Sequence, residues 1–265
     1  MKNTKQTLES IKSHGYNLDF GTVFNHAFEC YKKIAVNAGA AILLLGLVLG
    51  ILVAGLVLGI IAVGISLENL QEFNLANFSV AGIIIYAIVI ILLTCLGTPL
   101  NAGLTKMAQN ASKNKEVSLG NAFEYYNSSY FKEIFIATLI LTTFTTLTAV
   151  GLELVEYKFL GAILNLLVSF LTFLTIPLII FGNLKPMDAI QGSIVIISKQ
   201  FFIILGLVIV AGLFSILGIF AFCIGIFFTI PLMNAMTYSI YASIINDDEN
   251  EDLEEENIEP EIVIE

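Results

Sequence analysis

Arginine and tryptophan are absent from this chain, and cysteine, histidine and proline are scarce, at three, two and five of 265 residues. Without guanidinium groups there is no bidentate grip on phosphate or carboxylate. No basic face of the kind that holds nucleic acid can be drawn either. Cys30, Cys95 and Cys223 stand 65 and 128 residues apart, which matches neither a zinc site nor a redox pair. His14 and His26 both precede the first long apolar run, too few and too early for an intramembrane metal centre. No Gly-x-Ser-x-Gly elbow and no phosphate-cradling glycine loop occurs. The expectation is a chain with no catalytic residue, no metal and no cofactor.

Charge is the other shortage. Charged residues make up 13% of the chain, against about 25% in soluble domains. Hydrophobic residues reach 57%, and the mean hydropathy is +0.88. The formal net charge of −10 misleads, because 11 of the 22 acids follow Asn246 and the other 11 face 12 lysines. What remains is a set of long, nearly uncharged runs that need about 20 residues each to cross a ~30 Å hydrocarbon layer. The fold class expected is all-α integral membrane, with six transmembrane helices arranged as three hairpins.

The order along the chain supports that count. Residues 1–17 form a polar segment expected to be poorly ordered. Asp19 reads as the N-cap of a short amphipathic helix to Lys33, with Val23, Phe24, Ala27, Phe28 and Tyr31 on one face. Ile34 to Ser66 carries no charge, and its Gly46-xxx-Gly50 and Gly55-xxx-Gly59 spacings suit close helix packing. A second helix is expected from about Ser79 to Thr105. Ser118 then caps a second amphipathic segment running to Lys132. The third helix, Ile134 to Leu152, shows a Thr138, Thr142, Thr145 stripe. On the fourth, Phe159 to Gly182, Asn165, Ser169 and Thr172 form a polar seam at helical spacing. That seam reads as interhelical hydrogen bonding or as the lining of a polar cavity. Pro186 opens a third amphipathic segment to Lys199. The fifth and sixth helices, about Phe201 to Leu217 and Ile219 to Ile245, meet at Gly218. No cleavable signal peptide is expected, since the first 33 residues are polar and the run that follows is too long for one.

Three of the five prolines recur in one setting: Gly97-Thr98-Pro99-Leu100, Thr175-Ile176-Pro177-Leu178 and Thr229-Ile230-Pro231-Leu232. Pro99, Pro177 and Pro231 are expected to kink the second helix of each hairpin, with Thr98, Thr175 and Thr229 taking up freed carbonyls. The entry segments also echo one another and end at Lys33, Lys132 and Lys199. The membrane domain of residues 18–245 thus divides into repeats at about 18–110, 117–183 and 185–245. Parallel repeats of this kind admit a pseudo-threefold axis along the membrane normal. Eleven of the 12 lysines fall on one side of the expected topology and only Lys158 on the other. The positive-inside rule then puts both termini in the cytoplasm. Lys32, Lys33, Lys132 and Lys199 are the expected contacts to anionic lipid.

The Pro-Leu-Asn-Ala-Gly at Pro99 to Gly103, the Ala189 to Ser193 segment and the Gly225 to Pro231 stretch, with the amphipathic entry segments, carry a resemblance. Over about residues 16–245 the chain resembles the bacterial membrane-domain family attached to some glycerophosphoryl diester phosphodiesterases, and its free-standing relatives. No chain remains to encode the catalytic barrel. The resemblance implies a multipass module of the bacterial cytoplasmic membrane rather than a reaction.

Three functions follow for weighing. One is a non-catalytic module that binds lipid or a partner. Another is a transporter or channel for a small neutral or apolar solute, to which the kinks and the Asn165 seam point, although no ionisable residue lies in the six cores. An intramembrane enzyme is the weakest. The acidic tail of residues 246–265 is expected to be disordered, with Ile262-Val263-Ile264 as a strand that a protein partner would take up. No nucleic-acid partner is expected.

Overall fold

The computed structural model describes residues 4–62, 80–218 and 225–245. Among them every regular element is helical. The tail, the Glu68 and Glu72 connection, Cys223 and Gly64 lie outside the described residues.

The first element is α1, Thr4–His14. The segment expected to be poorly ordered is therefore a helix, and the reason is its apolar side: Ile11 is buried and Leu8 packs beside it. Next comes α2, Phe20–Ala62, one unbroken helix of 43 residues. Asp19 caps it as expected, its Oδ1 accepting the Thr22 backbone N–H at 2.7 Å. Those hydrogen bonds from Thr22 hold the Asp19 carboxyl below its ordinary range. The amphipathic entry segment is thus continuous with the first apolar run rather than a separate helix. Nothing between Lys33 and Ile34 breaks the backbone ladder, and Val23, Ala27, Cys30, Ile34, Ala38 and Ala41 make one buried stripe through both.

Helix α3 covers Val80–Ser112 and contains Pro99. The second amphipathic segment is shorter than expected: α4, Leu119–Phe123, followed by a 3-10 turn at Glu124–Asn127. Asn121 Oδ1 accepts from the Ser118 backbone N–H at 2.9 Å and so closes its first turn. Gly103 explains why α4 sits where it does. A Cβ there would meet the Ala122 carbonyl oxygen at 2.0 Å, so only glycine admits this approach.

Helix α5 is Phe131–Leu154 and α6 is Lys158–Leu171. After a break, α7 runs Thr175–Ile180. The third amphipathic segment is α8, Pro186–Lys199, with proline at its first turn. It bends by 100° into α9, Phe201–Leu217. The return is α10, Gly225–Thr229, and α11, Pro231–Ile245. Gly218 abuts the Gly225 backbone, and the Thr229 hydroxyl donates to the Ser215 carbonyl at 2.7 Å. Helices α9 and α10 of this hairpin therefore lie antiparallel.

Among the described residues four helical spans are long and apolar enough to cross a membrane, or five if the bent α8–α9 pair counts as one. Their outer faces expose large hydrophobic side chains, among them Ile51, Ile85, Leu147, Leu166 and Leu213. A soluble protein seldom leaves so much apolar surface contiguous. The chain is a helical protein compatible with several membrane crossings. The three entry segments differ in form: continuous, fragmented and bent.

Candidate functional site

The three prolines do not kink three helices alike. Pro99 stands inside α3, and the carbonyls that proline disturbs need other donors. The Tyr126 phenol donates at 2.7 Å to the Leu96 carbonyl, one residue beyond the Cys95 carbonyl that Pro99 leaves without its N–H. Thr98 donates to Thr94 instead. Pro177 and Pro231 are different, because each stands in the first turn of a helix that follows a break, where a missing N–H costs nothing. Thr229 spends its hydroxyl on α9, and Thr175 Oγ1 is buried with no hydrogen-bond partner. The expectation of three equivalent threonine-repaired kinks is corrected accordingly.

The break between α6 and α7 is held from outside. Ser193 of α8, fully buried, donates to the Leu171 carbonyl at 2.8 Å and accepts the Leu174 N–H at 3.2 Å. One hydroxyl thus serves both ends of an interrupted helix, which a buried backbone requires.

Beside this break lies a half-open cavity of about 860 Å³, lined by α3, α5, α6, α7, α9 and α11. It falls within the size of small-molecule sites, about 300–1,000 Å³. The predicted seam of Asn165, Ser169 and Thr172 lines it, and so do Thr138, Thr142 and Thr145 of α5. Helix α3 adds Thr94, Thr98, Asn101 and Thr105; α11 adds Asn234 and Thr237. About half the lining side chains carry a hydroxyl or carboxamide, and none is Lys, Asp, Glu or His. Asn234 is oriented by a 2.6 Å donation from its Nδ2 to Asn101 Oδ1. Helix α9 contributes only Leu205, Val208 and Ile209, whereas α3, α5, α6 and α11 carry hydroxyls and carboxamides. The cavity has a polar wall and an apolar wall.

Most of the threonine hydroxyls are already committed as donors. Those of Thr94, Thr98, Thr105 and Thr138 each donate to the carbonyl four residues back, at 2.8–2.9 Å. Thr145, Thr172 and Thr237 do the same at 2.7–3.0 Å. Their remaining lone pairs make the wall an acceptor surface.

A second polar cluster escaped the sequence reading. His26 Nδ1 lies 2.8 Å from Ser239 Oγ and its Nε2 lies 2.8 Å from Ser112 Oγ, with Cys30 Sγ at 3.7 Å. It ties α2, α3 and α11 together. Its only sequence signal is a histidine on the buried face of an amphipathic helix, since Ser112 and Ser239 are 86 and 213 residues away. Among the described residues no group of three His, Cys, Asp or Glu side chains is placed to hold a metal ion.

The four lysines expected to touch lipid separate into two kinds. Lys32 pairs with Glu29 at 2.6 Å on an exposed face. Lys33 reaches Asn114 Oδ1 at 2.7 Å and the Ala111 carbonyl at 3.1 Å, so it caps the C-terminus of α3. Lys132 and Lys199 are exposed. Comparison of the chain with family models, with curated proteins and with solved structures finds no match.

Proposed function

We propose that the chain is a six-crossing membrane protein with both termini in the cytoplasm, acting as a non-catalytic module that binds a small uncharged molecule between its helices. The cavity carries this reading: it has ligand size, two chemically different walls and no lining charge. Ions and acids would find no counter-charge there, and burying them unpaired is costly. The fifth and sixth crossings are α9 and the α10–α11 return, which pack through Ser215 and Thr229. The likeness to the membrane-domain family described above agrees with a binding module but rests on sequence segments alone. At the lysine-bearing end, Lys132 and Lys199 are free to meet anionic lipid headgroups, and the acidic tail is offered to a protein partner.

Protein in phosphatidylcholine nanodiscs should melt higher with the right neutral solute, and Asn165→Leu should abolish that rise. A screen in which only charged solutes stabilise the protein, or in which Asn165→Leu changes nothing, would refute the reading. For the topology, an impermeant maleimide should leave Lys115→Cys unlabelled in intact cells; labelling would reverse the orientation.

A second reading, solute transport, is favoured by one observation. The α6–α7 break and the Pro231 turn both border the cavity, and interrupted helices are where transporters bind and move substrate. Flux of a stabilising solute through proteoliposomes that falls with Asn165→Leu would select transport over simple binding.

A further inference from the structure

The walls say more about the ligand than that it is neutral. The threonine hydroxyls have donated their hydrogens to their own helices, so what they offer an occupant is lone pairs. The hydroxyl of Thr175, 1% exposed, has neither donor nor acceptor partner, and buried polar groups are nearly always paired. It lines the cavity with Asn165 and Ser169, for whose side chains the polar occupant is the available partner. The lining side chains of α9 are all hydrocarbon: Leu205, Val208 and Ile209. At the rim, Leu166 is 72% and Ile209 50% exposed, on the outer faces that meet lipid tails. An occupant that satisfies all of this needs donors for the threonine lone pairs, acceptors for Asn165, Ser169 and Thr175, no charge, and an apolar body able to enter sideways from the bilayer.

We infer that the cavity takes a neutral, hydroxyl-bearing amphiphile, its hydroxyls on the Asn165, Ser169 and Thr175 wall and its hydrocarbon against α9. This rests on the binding reading above and names its ligand class. A water-soluble polyol shares the donor chemistry but leaves the apolar wall unmatched, so the assignment is to the lipid form.

The test uses the full chain in phosphatidylcholine nanodiscs and a monoacylglycerol carrying a diazirine near its headgroup. Irradiation should label peptides of α6, α7 or α9. Unlabelled monoacylglycerol should compete at least tenfold better than the methyl ester of the same fatty acid, which has no donor. Ser169→Ala should cut labelling at least twofold and Asn165→Leu with Thr175→Val at least fivefold. Ser169 is exposed to the cavity, so its variant keeps the test informative where the double variant fails to fold. Equal competition by the methyl ester, labelling confined to outer positions such as Ile51 and Ile85, or labelling unmoved by Ser169→Ala would overturn the inference. Competition by free glycerol as strong as by monoacylglycerol would also overturn it, by assigning the site to a soluble polyol. The two readings fail separately: if monoacylglycerol does not label but another neutral solute still stabilises in an Asn165-dependent way, the binding module stands and only the ligand class falls.

Discussion

The two ends of this bundle are built differently. At the lysine-bearing end, helices are tied by named side chains: Lys33 to the end of α3, His26 to Ser112 and Ser239, Asn37 to the Val117 carbonyl and Lys5 to Asp188. The buried stretches of α2, α3, α5 and α9 also lie there. Toward the opposite end, marked by the Lys158–Glu153 pair, the described stretches of the same helices expose apolar faces. The cavity sits between. Among the described residues the long-range polar ties gather at the lysine-bearing end.

Substitutions that distinguish the two ends test this contrast. The largest effect belongs to glycine. Gly103→Val, with a carbonyl oxygen where the Cβ must go, should lower unfolding free energy by about 3 kcal/mol or more in a denaturant titration. Gly50→Ala, which meets nothing within 4 Å, should stay within about 0.5 kcal/mol. Equal losses would dissolve the distinction. Serine gives the next contrast. Ser193→Ala strands two backbone groups at the α6–α7 break and should cost about 2 kcal/mol, whereas Ser169→Ala should barely move the melting temperature. His26→Leu removes two side-chain ties and should cost about 1 kcal/mol, read as a lower melting temperature with ligand response retained. The smallest effect is on pH dependence. Because the folded Asp19 carboxyl titrates below its ordinary value of 3.8, its stabilisation is present above that value and is lost as pH falls through the lower folded one. Asp19→Asn should flatten the acid limb of the melting curve, and an unchanged limb would show that the cap does not contribute.

Sequence periodicity reached the helices themselves, because an uncharged run longer than 20 residues has few other fates. Helical spacing put Asn165, Ser169 and Thr172 on one face; all three line the cavity, although α6 ends at Leu171 and Thr172 stands just beyond it. Pro186–Lys199 and Phe201–Leu217 matched the expected bounds. What stayed hidden depends on partners distant in the chain. Nothing local distinguishes Pro99 within a helix from Pro177 after a break; the difference lies with Ser193, on another element. The helical state of α1 depended on Asp188 and Gly192 of α8, which Lys5 and Leu8 contact. Donor exhaustion in the threonine wall emerges only from hydroxyl geometry.

Helix α2 has a mechanical corollary. Its 43 residues amount to roughly 65 Å of stiff rod, about twice the hydrocarbon depth, anchored at its base by the Lys33, Asn37 and His26 contacts. Beyond Asn37 the helix runs on to Ala62, an arm of roughly 38 Å, so a swing of about 10° at those contacts displaces its far end by roughly 6–7 Å.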